Sequence, residues 1–196
     1  MVLQHNLFDF DRRDRLRETN LPEGLHYQEA FITLDEQAGL LTHIQDLPFR
    51  EFEFLGYTGK RRVVSFGWKY DYSSRHIRKA PDIPDFLLPL RARAASFANL
   101  EPGDFQQALV TEYTPGAGIG WHRDKAVFGQ VVGVSLLATC VLRFRRKVGE
   151  KWERANITAE PCSGYLLRGE ARSEWEHSIP GVEALRYSIT FRNVRD

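Results

Sequence analysis

The chain has 196 residues, 42% of them hydrophobic and 12% aromatic, and a formal net charge of +1. That length fits one domain with a sizeable core, because all-β barrels and sandwiches often reach it, and no run approaches the ~18 apolar residues of a membrane helix. The start, Met-Val-Leu-Gln-His-Asn, lacks the basic region and apolar stretch of a secretory signal. The only cysteines, Cys140 and Cys162, have neither metal-site spacing nor the density of a disulfide framework. A cytoplasmic monomer is therefore expected.

Taken in chain order, residues 1–20 are polar and centre on Asp11-Arg12-Arg13-Asp14-Arg15, which reads as an extended lead-in. Thr33-Leu34-Asp35-Glu36 is a capping-box pattern. Leu34, Ala38, Leu41 and Ile44 follow at helical spacing, and Pro48 ends the helix. Arg62–Phe66 reads as a strand. Pro81, Pro84 and Pro89 interrupt the next stretch, and a helix from Pro89 to Ala98 presents Leu90, Ala94 and Phe97 to a core. From residue 106 the chain becomes β-rich, with strands expected at Ala108–Tyr113, Val131–Thr139, Val141–Arg145, Gly164–Leu167 and Arg186–Val194. Pro115-Gly116-Ala117-Gly118-Ile119-Gly120 is the clearest turn between them. Helices first and strands after predicts an α+β fold.

Local charge is uneven. Residues 60–79 hold Lys60, Arg61, Arg62, Lys69, Arg75, Arg78 and Lys79 against a single acid, Asp71. Trp68, Tyr70 and Tyr72 are interleaved with them. Cations beside flat rings suit a single-stranded nucleic acid, because the cations meet phosphates and the rings stack on bases. The alternative is a solvated basic surface balanced by distant acids. Arg143, Arg145, Arg146 and Lys147 form a second basic cluster, open to the same two readings.

His122 and Asp124, in Trp121-His122-Arg123-Asp124-Lys125, are followed later by His177. Two histidines and one carboxylate are the ligand set of a facial Fe(II) site with positions left open. Residues two apart on a strand point to one face, so His122 and Asp124 are expected to grip one metal ion from a strand. A neighbouring strand must bring in His177. Arg186-Tyr187-Ser188-Ile189-Thr190-Phe191-Arg192 alternates strictly. Its polar face of two arginines, a serine and a threonine suits a dicarboxylate, which arginine binds with a planar pair of donors. Together these features point to an Fe(II) enzyme using 2-oxoglutarate and O2.

Tyr113-Thr114-Pro115-Gly116, His122-Arg123-Asp124-Lys125, His177 and the Arg186–Arg192 strand, in that order, resemble the AlkB family of Fe(II)/2-oxoglutarate dioxygenases. The resemblance covers about residues 28–194. It implies one domain over 1–196, with N-terminal helices, a nucleotide-recognition lid at 60–80 and a double-stranded β-helix (jelly-roll) core at 106–194. It implies that Arg186 pairs with the far carboxylate of 2-oxoglutarate, that Arg192 lies nearer the iron-chelating carboxylate, and that Tyr113 donates its hydroxyl to the cosubstrate. Thr111 and Ser188 stand where the family often has asparagine, and both keep a hydrogen-bonding group of shorter reach. Trp68, Tyr70 and Tyr72 fall at the lid, where Tyr70-Asp71-Tyr72 looks like its paired tyrosines. His122 is also placed to pack against a base.

The implied activity is oxidative demethylation of N-alkylated bases in single-stranded DNA or RNA, releasing formaldehyde, succinate and CO2. The same chemistry on modified tRNA, a protein side chain or a small molecule is one alternative. A non-catalytic 2-oxoglutarate sensor is another. Repair members often carry an acid two residues after the aspartate ligand, and that position is Ala126 here.

Overall fold

The structure is a computed structural model describing residues 21–54, 57–72 and 74–195. The expected lead-in at 1–20 lies outside the described residues. Period-two alternation of apolar residues builds two antiparallel sheets with a shared interior. The larger runs in the order β1 (Leu25–Gln28), β11 (Gly164–Leu167), β8 (Phe128–Leu136), β13 (Arg186–Val194), β6 (Phe105–Tyr113), β3 (Tyr57–Phe66) and β2 (Arg50–Phe54). The smaller runs β10 (Lys151–Ala159), β9 (Cys140–Val148), β12 (Glu176–Ile179) and β7 (Ile119–His122). Jelly rolls meet the edge-strand problem with this two-sheet arrangement, and it confirms the architecture expected for the core. A separate hairpin joins β4 (Trp68–Asp71) to β5 (His76–Lys79). Gly67, at φ +71°, redirects the chain from β3 into that hairpin. A Cβ at Gly67 would lie 2.0 Å from the Gln106 carbonyl oxygen, so only glycine fits.

The larger sheet separates two cores. On one face Val110, Val132, Val134, Tyr187, Ile189 and Phe191 pack against α1 (Leu34–Ile44) and α2 (Leu88–Ala98). On the other, Tyr113, Val131, Tyr165 and Leu167 meet Leu142, Phe144, Ile157 and Ile179 of the smaller sheet. The expected capping box forms as read: Thr33 N–H donates to Glu36 Oε2 at 2.8 Å, and Glu36 N–H donates to Thr33 Oγ1 at 3.1 Å. Arg93 of α2 then donates to Glu36 and to the Phe31 carbonyl, lashing the two helices together. A third, short helix, α3 (Gly169–Ser173), precedes β12.

Several expectations need correction. The core face of α1 is Leu40 and Ile44 with Leu41 packed beside them, while Leu34 is 73% exposed, because the helix packs one flank rather than its first residue on the sheet. Helices do not simply precede strands: β1, β2 and β3 come before α2 and join the larger sheet by long-range pairing. The strands β1, β2, β4, β5 and β10 escaped the sequence reading, since four- and five-residue or polar strands carry little periodic signal. Tyr165 lies across from Gly133 in the β11–β8 register. A Cβ on Gly133 would come within 2.2 Å of the Tyr165 ring. Gly133→Ala is therefore expected to overpack the interior and cost about 1–3 kcal/mol, visible as a lowered Tm in thermal denaturation.

Candidate metal and dicarboxylate site

The site is built on β13, which is paired on both sides by β6 and β8. Arg186 lies opposite Tyr113, and Ser188 lies opposite both Thr111 of β6 and Ser135 of β8. This register puts Arg186, Ser188, Thr190 and Arg192 on the inward face while Tyr187, Ile189 and Phe191 face the helices. Arg186 is fully buried. Its Nη2 donates to Ser135 Oγ at 3.1 Å, and its guanidinium lies 5.1 Å from the Tyr113 ring centroid. Its Nε and Nη1 are buried without a hydrogen-bond acceptor. A buried guanidinium with two idle donors is costly unless an anion completes it. The unfilled donors of Arg186 thus fit a carboxylate.

Arg192 has its anion within the chain. Its Nε and Nη2 each lie 2.9 Å from Asp124 Oδ1, and its Nη1 donates to Gln107 Oε1 at 3.2 Å. Gln107 in turn donates to the Trp68 carbonyl at 3.0 Å. One hydrogen-bonded chain therefore runs from Asp124 through β13 and β6 to the β4–β5 hairpin.

His122 and His177 face each other across β7 and β12 in register, with ring centroids 4.2 Å apart. His177 Nε2 lies 3.8 Å from Asp124 Oδ2. His122 Nδ1 lies 2.9 Å from the Gly120 carbonyl, and donation there leaves Nε2 as the lone-pair nitrogen. The expected strand geometry holds only in part. β7 ends at His122, so Asp124 comes from the following loop, and Arg192 rather than strand alternation aims it. As the side chains stand, among the described residues no three His, Cys, Asp or Glu close into a complete ligand cluster; the His–His and His–Asp separations place these three beside one another.

Their electrostatics match a cation site. Burial pushes His177 down from the ordinary 6.5 to about 3, and His122 adds to the shift. Burial also lowers His122, against the pull of Asp124 and the Gly120 carbonyl. Burial alone would raise Asp124, but Arg192 first and then the two histidines outweigh it and hold the carboxyl well below its usual range. Neutral imidazoles beside an ionised carboxylate are the protonation states that metal ligation requires.

The loop after His122 is held from below. Arg172 of α3 is buried and donates to the carbonyls of Lys125 at 2.6 Å and Phe128 at 2.7 Å. From above, the Lys125 ammonium lies 5.2 Å from the Tyr70 ring and 5.1 Å from the Tyr72 ring, and the two rings meet edge to face at 5.1 Å. Trp68 does not join that pair: its ring is covered by Lys79 Nζ at 4.4 Å. The basic clusters are less free than their counts imply. Arg62 pairs with Glu112, Arg78 with Asp71, Arg145 with Glu176, and Arg146 with Glu153, Glu170 and Glu174. In the 143–147 cluster Arg145 and Arg146 are thus balanced by acids.

The sequence reading missed Ser135, Gln107 and Arg172. A serine within the apolar run Val131–Leu136 was the one available signal. Tyr165 was missed as well; its hydroxyl is pushed up by burial, against the field of Arg186.

Residues 24–192 match the family described as the 2OG-Fe(II) oxygenase superfamily. The chain is 29% identical to an "Alkylated DNA repair protein ALKBH8 homolog" of Arabidopsis thaliana over 91% of this chain and 60% of that one. It therefore spans less than two thirds of that relative's length. In shape it resembles OsALKBH1, with a TM-score of 0.71 at 19% identity over 88% of this chain and 98% of that one. It also resembles a 2OG-Fe(II) oxygenase family oxidoreductase from Burkholderia pseudomallei, with a TM-score of 0.61 at 16% identity over 100% of this chain and 94% of that one.

Two outcomes follow. Arg186→Gln removes the unsatisfied charge and should weaken 2-oxoglutarate binding by about tenfold or more, read by isothermal titration. Lowering the pH from 6.5 towards 3 should destabilise the metal-free protein, because the unfolded chain binds a proton that folded His177 refuses. That contribution is fully present above 6.5 and is lost as the pH falls through the window. His177→Gln should flatten the Tm–pH curve there.

Proposed function

The chain belongs to the 2OG-Fe(II) oxygenase superfamily and is a dioxygenase using Fe(II), 2-oxoglutarate and O2, and from that premise we propose that it oxidatively demethylates N-alkylated bases in single-stranded nucleic acid. The observation that carries this reading is the meeting of Tyr70, Tyr72 and Lys125 directly over the loop that holds Asp124. Rings stack on an extruded base and a cation meets its phosphate. The name of the Arabidopsis relative, an alkylated DNA repair protein, supports a nucleic-acid substrate for this chain.

His122, Asp124 and His177 would hold the iron, the histidines neutral and the carboxylate ionised. Arg186 would take the far carboxylate of 2-oxoglutarate through Nε and Nη1, with Ser135, Ser188, Thr111 and Tyr113 around it. Arg192 does not replace a metal ligand: it holds Asp124 in place and keeps it charged. When bound, iron with 2-oxoglutarate and O2 supplies C–H oxidation, one oxygen atom entering the substrate methyl and the other succinate, with loss of CO2. The resulting N–CH2–OH group collapses, returning the N–H proton and releasing formaldehyde. The buried inward face of β13 keeps bulk water from the cosubstrate. The β4–β5 hairpin acts as a lid, tied to the site through Trp68, Gln107 and Arg192.

Ala126 favours a second reading, the same chemistry on a substrate other than the usual methylated bases, since an exposed alanine offers nothing to an amino group. The deciding experiment supplies Fe(II), 2-oxoglutarate and air with methylated single-stranded oligonucleotides and follows methyl loss by mass spectrometry. The expected result is formaldehyde release by the native protein and none by His122→Ala. Succinate without methyl loss would move the substrate elsewhere. Tyr72→Ala should raise the KM for oligonucleotide by about fivefold or more and leave the KM for 2-oxoglutarate unchanged.

A further inference from the structure

Arg61 is a cation whose place the reading above does not explain. On β3, Arg62 is opposite Glu112 and donates to it at 2.7 and 3.0 Å. That pair lies on the helix-facing side, where Glu112 also accepts the Tyr187 hydroxyl at 3.1 Å. Strand alternation therefore sends Arg61 to the inward face, one step beyond Val63 and Thr111 and level with Tyr113. Its guanidinium lies 3.8 Å over the Phe52 ring. Phe52 meets Tyr72 edge to face at 5.7 Å, and Tyr72 meets Tyr70. Arg61 thus stands where the jelly roll meets the hairpin, close enough to His122, Tyr113, Tyr72 and Arg192 for its charge to act on them.

Three acids of the site and hairpin are committed elsewhere. Asp124 is held by Arg192, Glu112 by Arg62 and Asp71 by Arg78. Among the described residues no carboxylate forms an ion pair with Arg61. Burial lowers its pKa, the sign of a desolvated charge lacking an anionic partner. Ala126, two residues after Asp124, brings no carboxylate to the loop.

We propose that Arg61 reads the substrate base and, with Ala126, selects neutral, carbonyl-bearing alkylated bases of the N3-methyluracil type over cationic ones. This rests on the nucleobase reading above and deepens it. Methylation at N1 of adenine or N3 of cytosine leaves a cationic ring whose exocyclic amino group offers donors. Arg61 also offers only donors and carries the same charge, so contact with that amino edge is repulsive twice over; N3-methylcytosine keeps its O2 carbonyl, and the discrimination falls on position 4. N3-methyluracil is neutral and carries a carbonyl on each side of its methylated nitrogen. A planar guanidinium can donate to such an acceptor edge and stack on a ring at once. A site built to hydrogen-bond one base edge rejects a base lacking it, because its buried polar group is then left unpaired.

The test uses labelled single-stranded pentamers that differ only in carrying N3-methyluracil or N3-methylcytosine. Binding is read by fluorescence anisotropy without iron. Turnover is read as formaldehyde with Fe(II), 2-oxoglutarate and air, and melting temperatures report the folding of each variant. The native protein should bind and turn over the uracil strand better, by about tenfold or more in kcat/KM. Arg61→Gln should erase that preference. Ala126→Asp, at an exposed position, should raise turnover of the cytosine strand and decides the matter if Arg61→Gln fails to fold. Equal treatment of both strands, or ratios that neither variant moves, overturns the proposal. Formaldehyde from the cytosine strand alone overturns the selectivity and leaves the nucleobase reading standing. Formaldehyde from neither strand, with succinate still formed, overturns both.

Discussion

Two arginines buried on one face of a central strand impose the main constraint on this molecule. β13 is paired on both sides, so Arg186 and Arg192 cannot swing out to solvent, and each guanidinium must find its anion inside. Arg192 finds Asp124, and the contact carries the loop after β7 into the site. Arg186 finds only a serine hydroxyl and keeps two idle donors. One arginine is thus completed by the fold and the other is left with unfilled donors, on the same strand and facing the same way.

The rest of the architecture serves to hold that strand. The helix pair, lashed together by the shared contacts of Glu36 and Arg93, covers the outer face of the larger sheet and fixes which side of β13 is inward. The smaller sheet brings His177 opposite His122. The hydrogen-bonded path from Asp124 through Arg192 and Gln107 to Trp68 means that the hairpin and the metal loop share a support. A shift of the hairpin would therefore be felt at Asp124 through Gln107 and Arg192.

Much of the site could be read from residue order alone. The alternation of Arg186–Val194 gave its strand, its bounds and its polar face, because a period of two survives any tertiary context that buries one side. The Thr33–Glu36 cap was equally local, its hydrogen bonds spanning three residues. By contrast, the strand assignment for Asp124 failed because a four-residue strand ends where hydrogen bonding to β12 ends, and this depends on a partner more than fifty residues away. The basic segments left two readings open for a similar reason. Arg145 and Arg146 are neutralised by Glu153, Glu170, Glu174 and Glu176, which a charge count over residues 143–147 does not include.

By itself the sequence determined the order of His122, Asp124 and His177 along the chain and the arginine face of β13, since residue identity and strand period are local properties. Only the tertiary structure decided which charges are satisfied. Arg62 and Arg61 are adjacent and chemically identical, yet the register of β3 on β6 gives the first a carboxylate and turns the second towards the substrate side without one. Satisfaction of a buried charge depends on which distant group the sheet register places opposite it, and no spacing along the chain encodes that.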